Sequence, residues 1–260
     1  TIWSADVIHC HDVFFWYLPF RFLFPFKKVY TTFHGYEGNN LPTKKAILMH
    51  KISESLSSGN ICVGDFLKKW YKTKPDYVIY GGVNKNIFNP NLTNNNKNII
   101  FIGRLEKETG IMEYLKALKF LKDKGKIFVI DVYGKGTLEN EVKKYSIEHN
   151  LKVNLKGFSD KIESIIPNYE YVFCSRYLGI LESLACRKKV FAEYNNEIKK
   201  DYLTLTPFAR YISISGNAKE LSTEIEMVIS GKLNLNTENA YKWVKNKTWV
   251  LRRDKRENEK

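Results

Sequence analysis

Residues 171–202, YVFCSRYLGILESLACRKKVFAEYNNEIKKDY, run from a buried apolar strand into a polar turn and then a short helix with one inward-placed carboxylate, Glu182. A doubly wound sheet presents a phosphate-and-ribose site in that order, at the carboxyl ends of its strands. The turn Ser175-Arg176-Tyr177-Leu178 offers backbone N–H groups at a helix N-terminus, a natural seat for an anion. Gly103-Arg104 closes an earlier apolar strand, so a guanidinium emerges at the same kind of edge, where its fork can hold a diphosphate. Tyr133-Gly134-Lys135-Gly136 follows the next strand, and a small residue there lets a ligand come close to the backbone. His34 also ends a strand, with Gly35 freeing the turn behind it. His9 and His11 share one strand face but lack a carboxylate or cysteine partner, so no metal site is expected.

The elements that must carry these residues alternate. From residue 98 onward, apolar strands are expected at 98–102, 127–132, 153–155, 171–173, 190–192 and 211–214. Helices are expected at 111–122, 138–149, 162–166, 178–187 and 218–229. Ile111, Leu115, Leu118 and Leu121 fall on one helical face, with Gly110 ahead of the first turn. Strand, helix, strand in this rhythm predicts a parallel sheet. The first 90 residues repeat the pattern, with strands at 7–9, 29–33, 61–63 and 77–80 and helices at 46–56 and 65–71. The polar stretch 89–98, NPNLTNNNKN, reads as a linker between domains.

The chain has 260 residues, 43% of them apolar, enough for one large core or two modest ones. Cys10, Cys62, Cys174 and Cys186 have no CxxC spacing and read as reduced buried thiols, which points to the cytoplasm. The net charge of +14 calls for a polyanionic neighbour: nucleic acid, anionic lipid or a phosphorylated small molecule. The lysines are spread in singles and pairs over predicted helices, without the interleaved aromatics of a nucleic-acid surface. The aromatic run at 14–26, FFWYLPFRFLFPF, is too short to cross a bilayer and is broken by Pro19, Arg21 and Pro25. Two readings stay open for it: packing against its own sheet, or an interfacial patch on a membrane whose headgroups attract Lys27 and Lys28.

Seven short motifs fall in one order: ADVIHCHD, TTFHGYEG, VIYGGVNKNIFNP, FIGRLEKETG, DVYGKGTLENEV, VNLKGFSD and SRYLGILESLA. Together they resemble the retaining glycosyltransferases of family 4, whose α/β fold is GT-B, two Rossmann-like doubly wound domains facing a cleft. The resemblance covers nearly the whole chain and implies that the first strands of the N-terminal domain, with their glycine-rich loop, lie upstream of residue 1. It divides the chain into a partial acceptor-side domain (1–90), a nucleotide-sugar-binding domain (91–237) and a basic C-terminal helix (238–260) crossing back to the first domain, with Trp243 as its anchor.

The resemblance implies that Arg104, with Gly103, holds the donor diphosphate, and that Glu182 grips the ribose hydroxyls. Gly134, Ser175, Tyr177 and Leu178 line the donor site, Phe158 flanks the base after Gly157, and His34 contacts the transferred sugar or the acceptor. Gly82-Val83 matches the hinge between domains, with Asn84 where an Asp is usual. Two positions depart from the pattern. The family's second diphosphate lysine is Thr109 here, with Lys107 the nearest substitute, and the first of two glutamates eight residues apart is Cys174. The implied activity is metal-independent transfer of a hexosyl group from a UDP-sugar or GDP-sugar to a glycan or lipid-linked acceptor, with retention and no cofactor. The two departures keep open a catalytically silent nucleotide-sugar-binding module. The implied setting is cytoplasmic, with an anionic membrane surface as a candidate partner and no nucleic acid.

Overall fold

Each apolar run followed by an amphipathic one has become a strand and a crossover helix, and all strands pair in parallel. The computed structural model describes residues 4–12, 17–35, 41–87 and 98–249. The chain divides into two compact units, Thr1–Tyr80 and Gly81–Lys260.

The first unit contains β1 (Val7–His11), α1 (Leu18–Leu23), β2 (Lys28–Phe33), α2 (Lys44–Ser55), β3 (Gly59–Cys62), α3 (Phe66–Trp70) and β4 (Tyr77–Val78), with the strands in the order β1-β2-β3-β4. Ile8, Cys10, Tyr17 and Val29 form a small core under β1 and β2. The aromatic run is partly buried and partly exposed. Tyr17 is fully buried and Phe20 packs on that core, whereas Phe22, Leu23 and Phe26 are 72%, 67% and 98% exposed. Arg21 faces inward and ties the turn after α1, donating to the carbonyls of Leu56, Pro25 and Lys27 at 2.8–2.9 Å. Residues 14–16 of the run and most of the expected linker lie outside the described residues.

The second unit contains β5 (Ile99–Ile102), α4 (Ile111–Asp123), β6 (Val129–Tyr133), α5 (Glu139–Glu148), β7 (Lys152–Gly157), α6 (Ile162–Ile165), β8 (Tyr171–Phe173), α7 (Tyr177–Ala185), β9 (Lys189–Glu193), α8 (Glu197–Thr204), β10 (Ser213–Ser215), α9 (Ala218–Ile229) and α10 (Thr237–Val244). Its six strands lie in the order β10-β9-β8-β5-β6-β7. From β5 the chain winds outward through β6 and β7, then returns to the other side of β5 for β8, β9 and β10. The order reverses between β5 and β8, and in such sheets ligands bind outside the carboxyl ends of the strands at that reversal. The α4 face carrying Ile111, Tyr114, Leu115, Leu118 and Leu121 is buried against β5, β6 and α9, as its spacing predicted.

Structure and expectation differ locally at three places. The strand expected at 211–214 is Ser213–Ser215, because Ala209–Tyr211 forms a 3₁₀ turn whose Tyr211 packs beside Trp243, ring centroids 6.3 Å apart. Helix α10 is followed by a bridge between Thr248 and Val83, and residues 250–260 of the expected C-terminal helix lie outside the described residues. The helix α8 was not anticipated; its N-cap is Asn196, whose side chain accepts from the Lys199 N–H at 2.8 Å.

Candidate functional site

The loops leaving β5 and β8 meet at the reversal of strand order, and the candidate residues of the second unit follow from what those loops carry. Arg104 stands one residue beyond Gly103 at the end of β5. Its side chain is 67% exposed and its Nη2 donates to Glu108 Oε1 at 2.8 Å, one turn along the same loop. Lys107 is exposed beside it, and its carbonyl accepts from Asn195 Nδ2 at 3.0 Å. Thr109 is buried, and its hydroxyl lies 2.6 Å from the Arg104 carbonyl and 2.7 Å from that of Glu106. Where the resemblance implies a lysine, this chain has a residue that closes the loop on itself.

Gly134 sits at φ +149, and a Cβ there would stand 1.8 Å from the Gly103 carbonyl. The glycine therefore makes room for the neighbouring loop. A side chain at Gly136 would likewise meet the Leu105 carbonyl at 2.3 Å. Backbone bonds Leu105 N–H to Lys135 O (3.0 Å) and Leu138 N–H to Leu105 O (2.9 Å) complete the seam. The loop after β6 thus braces the one that carries Arg104.

At the end of β8, Ser175 is buried and its hydroxyl pairs with Tyr114 Oη at 2.8 Å. The Tyr114 hydroxyl also donates to the Phe191 carbonyl at 3.1 Å and accepts from the Glu193 N–H at 3.0 Å, joining α4 to the ends of β8 and β9. Tyr177 opens α7 with its side chain buried, its ring stacked on Tyr202 with centroids 3.9 Å apart. Its N–H donates to Tyr202 Oη at 3.1 Å. The next two helical N–H groups, of Leu178 and Gly179, have no carbonyl one turn back to accept them. Arg176 and Leu178 are exposed at this end. Positive dipole, unpaired donors and two arginines on adjacent loops make the second unit's carboxyl edge suited to a polyanion.

Glu182 lies on α7, 5% exposed, and burial together with the nearby charge of Glu163 pushes its carboxyl up to about 7. Glu163 Oε1 in turn accepts from Asn84 Nδ2 at 2.7 Å. Cys174 is turned under the helix, where its Sγ would meet a Cβ on Gly179 at 2.6 Å, and burial pushes its thiol up to about 11. Phe158 follows Gly157 at the end of β7 and is 74% exposed, a large apolar face left in solvent on the edge that carries Arg104.

Sequence reasoning passed over Glu193 and Lys199. Glu193 closes β9 fully buried, and Lys199 of α8, 2% exposed, donates to its Oε2 at 3.0 Å and to the Glu108 carbonyl at 2.7 Å. Burial raises the Glu193 carboxyl and lowers the Lys199 ammonium, each opposed by the charge of the other. The Asn196 cap was the available signal for α8; nothing in the pattern marked its lysine as buried.

In the first unit, His34 lies beyond β2 and is exposed. Its Nε2 is 2.6 Å from His11 Nδ1, and its N–H donates to Asp12 Oδ1 at 2.8 Å. The rings of His9, His11 and His34 stand in a row, with successive centroids 4.6 and 4.9 Å apart. Among the described residues no cluster suited to a metal ion is present.

The profile of the family described as "Glycosyl transferases group 1" matches residues 83–248. No curated protein sequence matches the chain. Among solved structures it is similar to a glycosyltransferase from Rickettsia africae ESF-5, with TM-score 0.73 and 20% identity over 98% of this chain and 76% of that one. It is also similar to Anabaena HepE in complex with UDP-glucose, with TM-score 0.72 and 15% identity over 99% of this chain and 79% of that one. A third is the pneumococcal O-GlcNAc transferase GtfA in complex with UDP and GlcNAc, with TM-score 0.62 and 13% identity over 89% of this chain and 52% of that one. These likenesses show a shared fold of two parallel-sheet domains, the α/β class expected from the sequence.

Proposed function

Because this chain belongs to the glycosyl transferases group 1 family, we propose that it moves a hexosyl group from a UDP- or GDP-sugar to a glycan or lipid-linked acceptor, with retention at the anomeric carbon and without a metal. The observation that carries this reading is the placement of Arg104 and the α7 N-terminus after β5 and β8, the adjacent strands at the reversal of order, with Glu182 buried on α7. HepE and GtfA, similar in fold, were solved with UDP-glucose and with UDP and GlcNAc.

In the proposed reaction the bond between the anomeric carbon and the diphosphate oxygen breaks, and the acceptor hydroxyl attacks from the same face. Its proton passes to a donor-phosphate oxygen, so a protein base is not required. Arg104, Lys107 and the N–H groups of Leu178 and Gly179 stabilise the charge that builds on the leaving diphosphate, the task given elsewhere to a divalent cation. Glu182 accepts the two ribose hydroxyls, Phe158 stacks on the base, and His34 contacts the transferred sugar or the acceptor. Cys174 supplies no carboxylate to the sugar, so the sugar's hydroxyls must find other partners.

The same two departures support a second reading, a nucleotide-sugar-binding module without turnover. Incubation of the chain with UDP- and GDP-hexoses distinguishes the two. Transfer predicts release of the nucleoside diphosphate, with anomeric retention by proton NMR when a glycan acceptor is added. Binding without release favours the silent module, and no binding of either nucleotide contradicts both.

For the acceptor side, Phe22, Leu23 and Phe26 project from α1 and the turn after it, beside Lys27 and Lys28. Apolar side chains flanked by lysines suit an anionic lipid surface. No helix among the described residues is long and apolar enough to cross a membrane. Flotation with anionic liposomes should carry the chain upward, and replacing Phe22 and Phe26 with serine should abolish it; equal flotation of both proteins would remove this patch from the account.

A further inference from the structure

The buried pair Lys199–Glu193 lies directly beneath the loop that carries Arg104, and the site as described makes no use of it. Burying an ion pair costs more than burying an apolar pair of the same volume, so its presence calls for a reason. Its contacts supply one. Lys199 Nζ donates to the Glu108 carbonyl at 2.7 Å and to Glu193 Oε2 at 3.0 Å. Gly110, at φ +78, lies over the same carboxylate, so close that a Cβ would stand 1.9 Å from Oε2. The ammonium therefore holds the loop from below at Glu108, and the carboxylate packs closely under it at Gly110. On the outer side, the Glu108 carboxylate pairs with Arg104 at 2.8 Å.

We propose that Lys199 is a positioning residue for Arg104, acting through Glu108 to fix the loop that receives the donor's diphosphate. The inference rests on the donor-site reading given above. In this chain the loop's own lysine position is Thr109, whose hydroxyl is spent on the Arg104 and Glu106 carbonyls. The cation that organises the loop comes instead from α8. It does not touch the ligand; it sets the height of the Glu108 carbonyl and, with it, the carboxylate that aims the guanidinium. Glu193 is held for this task by its N–H bond to Tyr114 Oη at 3.0 Å, which also fixes the end of β9.

The test is calorimetric titration of UDP and of GDP into the full chain and into K199M, K199M/E193Q, R104A and R104A/K199M, with a thermal melt of each. K199M should melt lower, because it strands the Glu193 charge, and K199M/E193Q should recover much of that loss. Both should bind nucleotide about tenfold more weakly, the effect of losing one hydrogen bond from a charged donor. In the R104A background, K199M should cost less than about twofold, since its effect passes through Arg104. Wild-type affinity in the refolded K199M/E193Q variant would overturn the proposal. So would a loss that persists undiminished without Arg104, which would make the pair a general stabiliser of the unit. If the wild-type chain binds neither UDP nor GDP, the donor-site reading itself fails and the proposal falls with it.

Discussion

Tyr177 and Tyr202 grip each other at both ends: the Tyr177 N–H donates to the Tyr202 hydroxyl at 3.1 Å, and the Tyr177 hydroxyl donates to the Tyr202 carbonyl at 2.5 Å. With the rings stacked in between, the first turn of α7 is fixed to α8, and the first helical N–H is already taken. An anion at this end is left with Leu178 and Gly179.

Tyr202→Phe keeps the stacked ring and removes the hydroxyl that accepts from the Tyr177 N–H. The cost should be about 1–3 kcal/mol of unfolding free energy, the range for breaking a buried hydrogen bond. Urea unfolding measures it. Unchanged stability would show that water or a shifted ring satisfies that N–H.

Glu182 should make donor binding depend on pH. Its carboxyl titrates at about 7 in the fold, well above the ordinary carboxylate range, so the protonated form is favoured without ligand. Ribose hydroxyls donate to the ionised form, so binding should release a proton below pH 7. Affinity should rise as pH climbs toward 7, by at most about tenfold per unit, and level off above it. Stability runs the other way: this group's contribution falls as pH rises from the carboxylate range through about 7. The phosphate of UDP titrates nearby, so the readout is the difference between the wild-type and Glu182→Gln profiles. Parallel profiles would remove Glu182 from the ribose.

Phe158 is exposed, so Phe158→Ala should leave the melting temperature almost unchanged, as surface substitutions do. If the ring stacks on the base, nucleotide affinity should fall by about 1–3 kcal/mol, the scale of aromatic–base stacking. A melt and a titration on the same sample check both halves. Loss of stability with intact affinity would instead make Phe158 a packing residue.

Much of this was legible in the sequence because strands buried on both faces write long apolar runs and their crossover helices write a helical stripe. Residues 98–102 and 171–173 announced the two strands that flank the reversal, and Arg104 and Ser175 followed as their next polar positions. The hidden parts are polar groups turned inward. The α8 helix buries Lys199 and Asp201 on its inner face, so its pattern looks like a solvated surface until Glu193 supplies the counter-charge. Tyr211 read as strand because it is apolar, but its ring packs beside Trp243 from a 3₁₀ turn. At Gly134 the sequence expects the close approach of a ligand. The Gly103 carbonyl also packs there, a neighbour that depends on contacts distant in sequence and that no local pattern announces.

In the proposed function the second unit's carboxyl edge holds a nucleoside diphosphate through Arg104. The most direct test is calorimetric titration of UDP and GDP into the wild-type chain and Arg104→Ala at low salt. The predicted result is binding of at least one nucleotide by the wild type, weakened by about 1.5–3 kcal/mol in the variant, the worth of a hydrogen bond to a charged group. Equal affinity in the two proteins, with both folded, would contradict it.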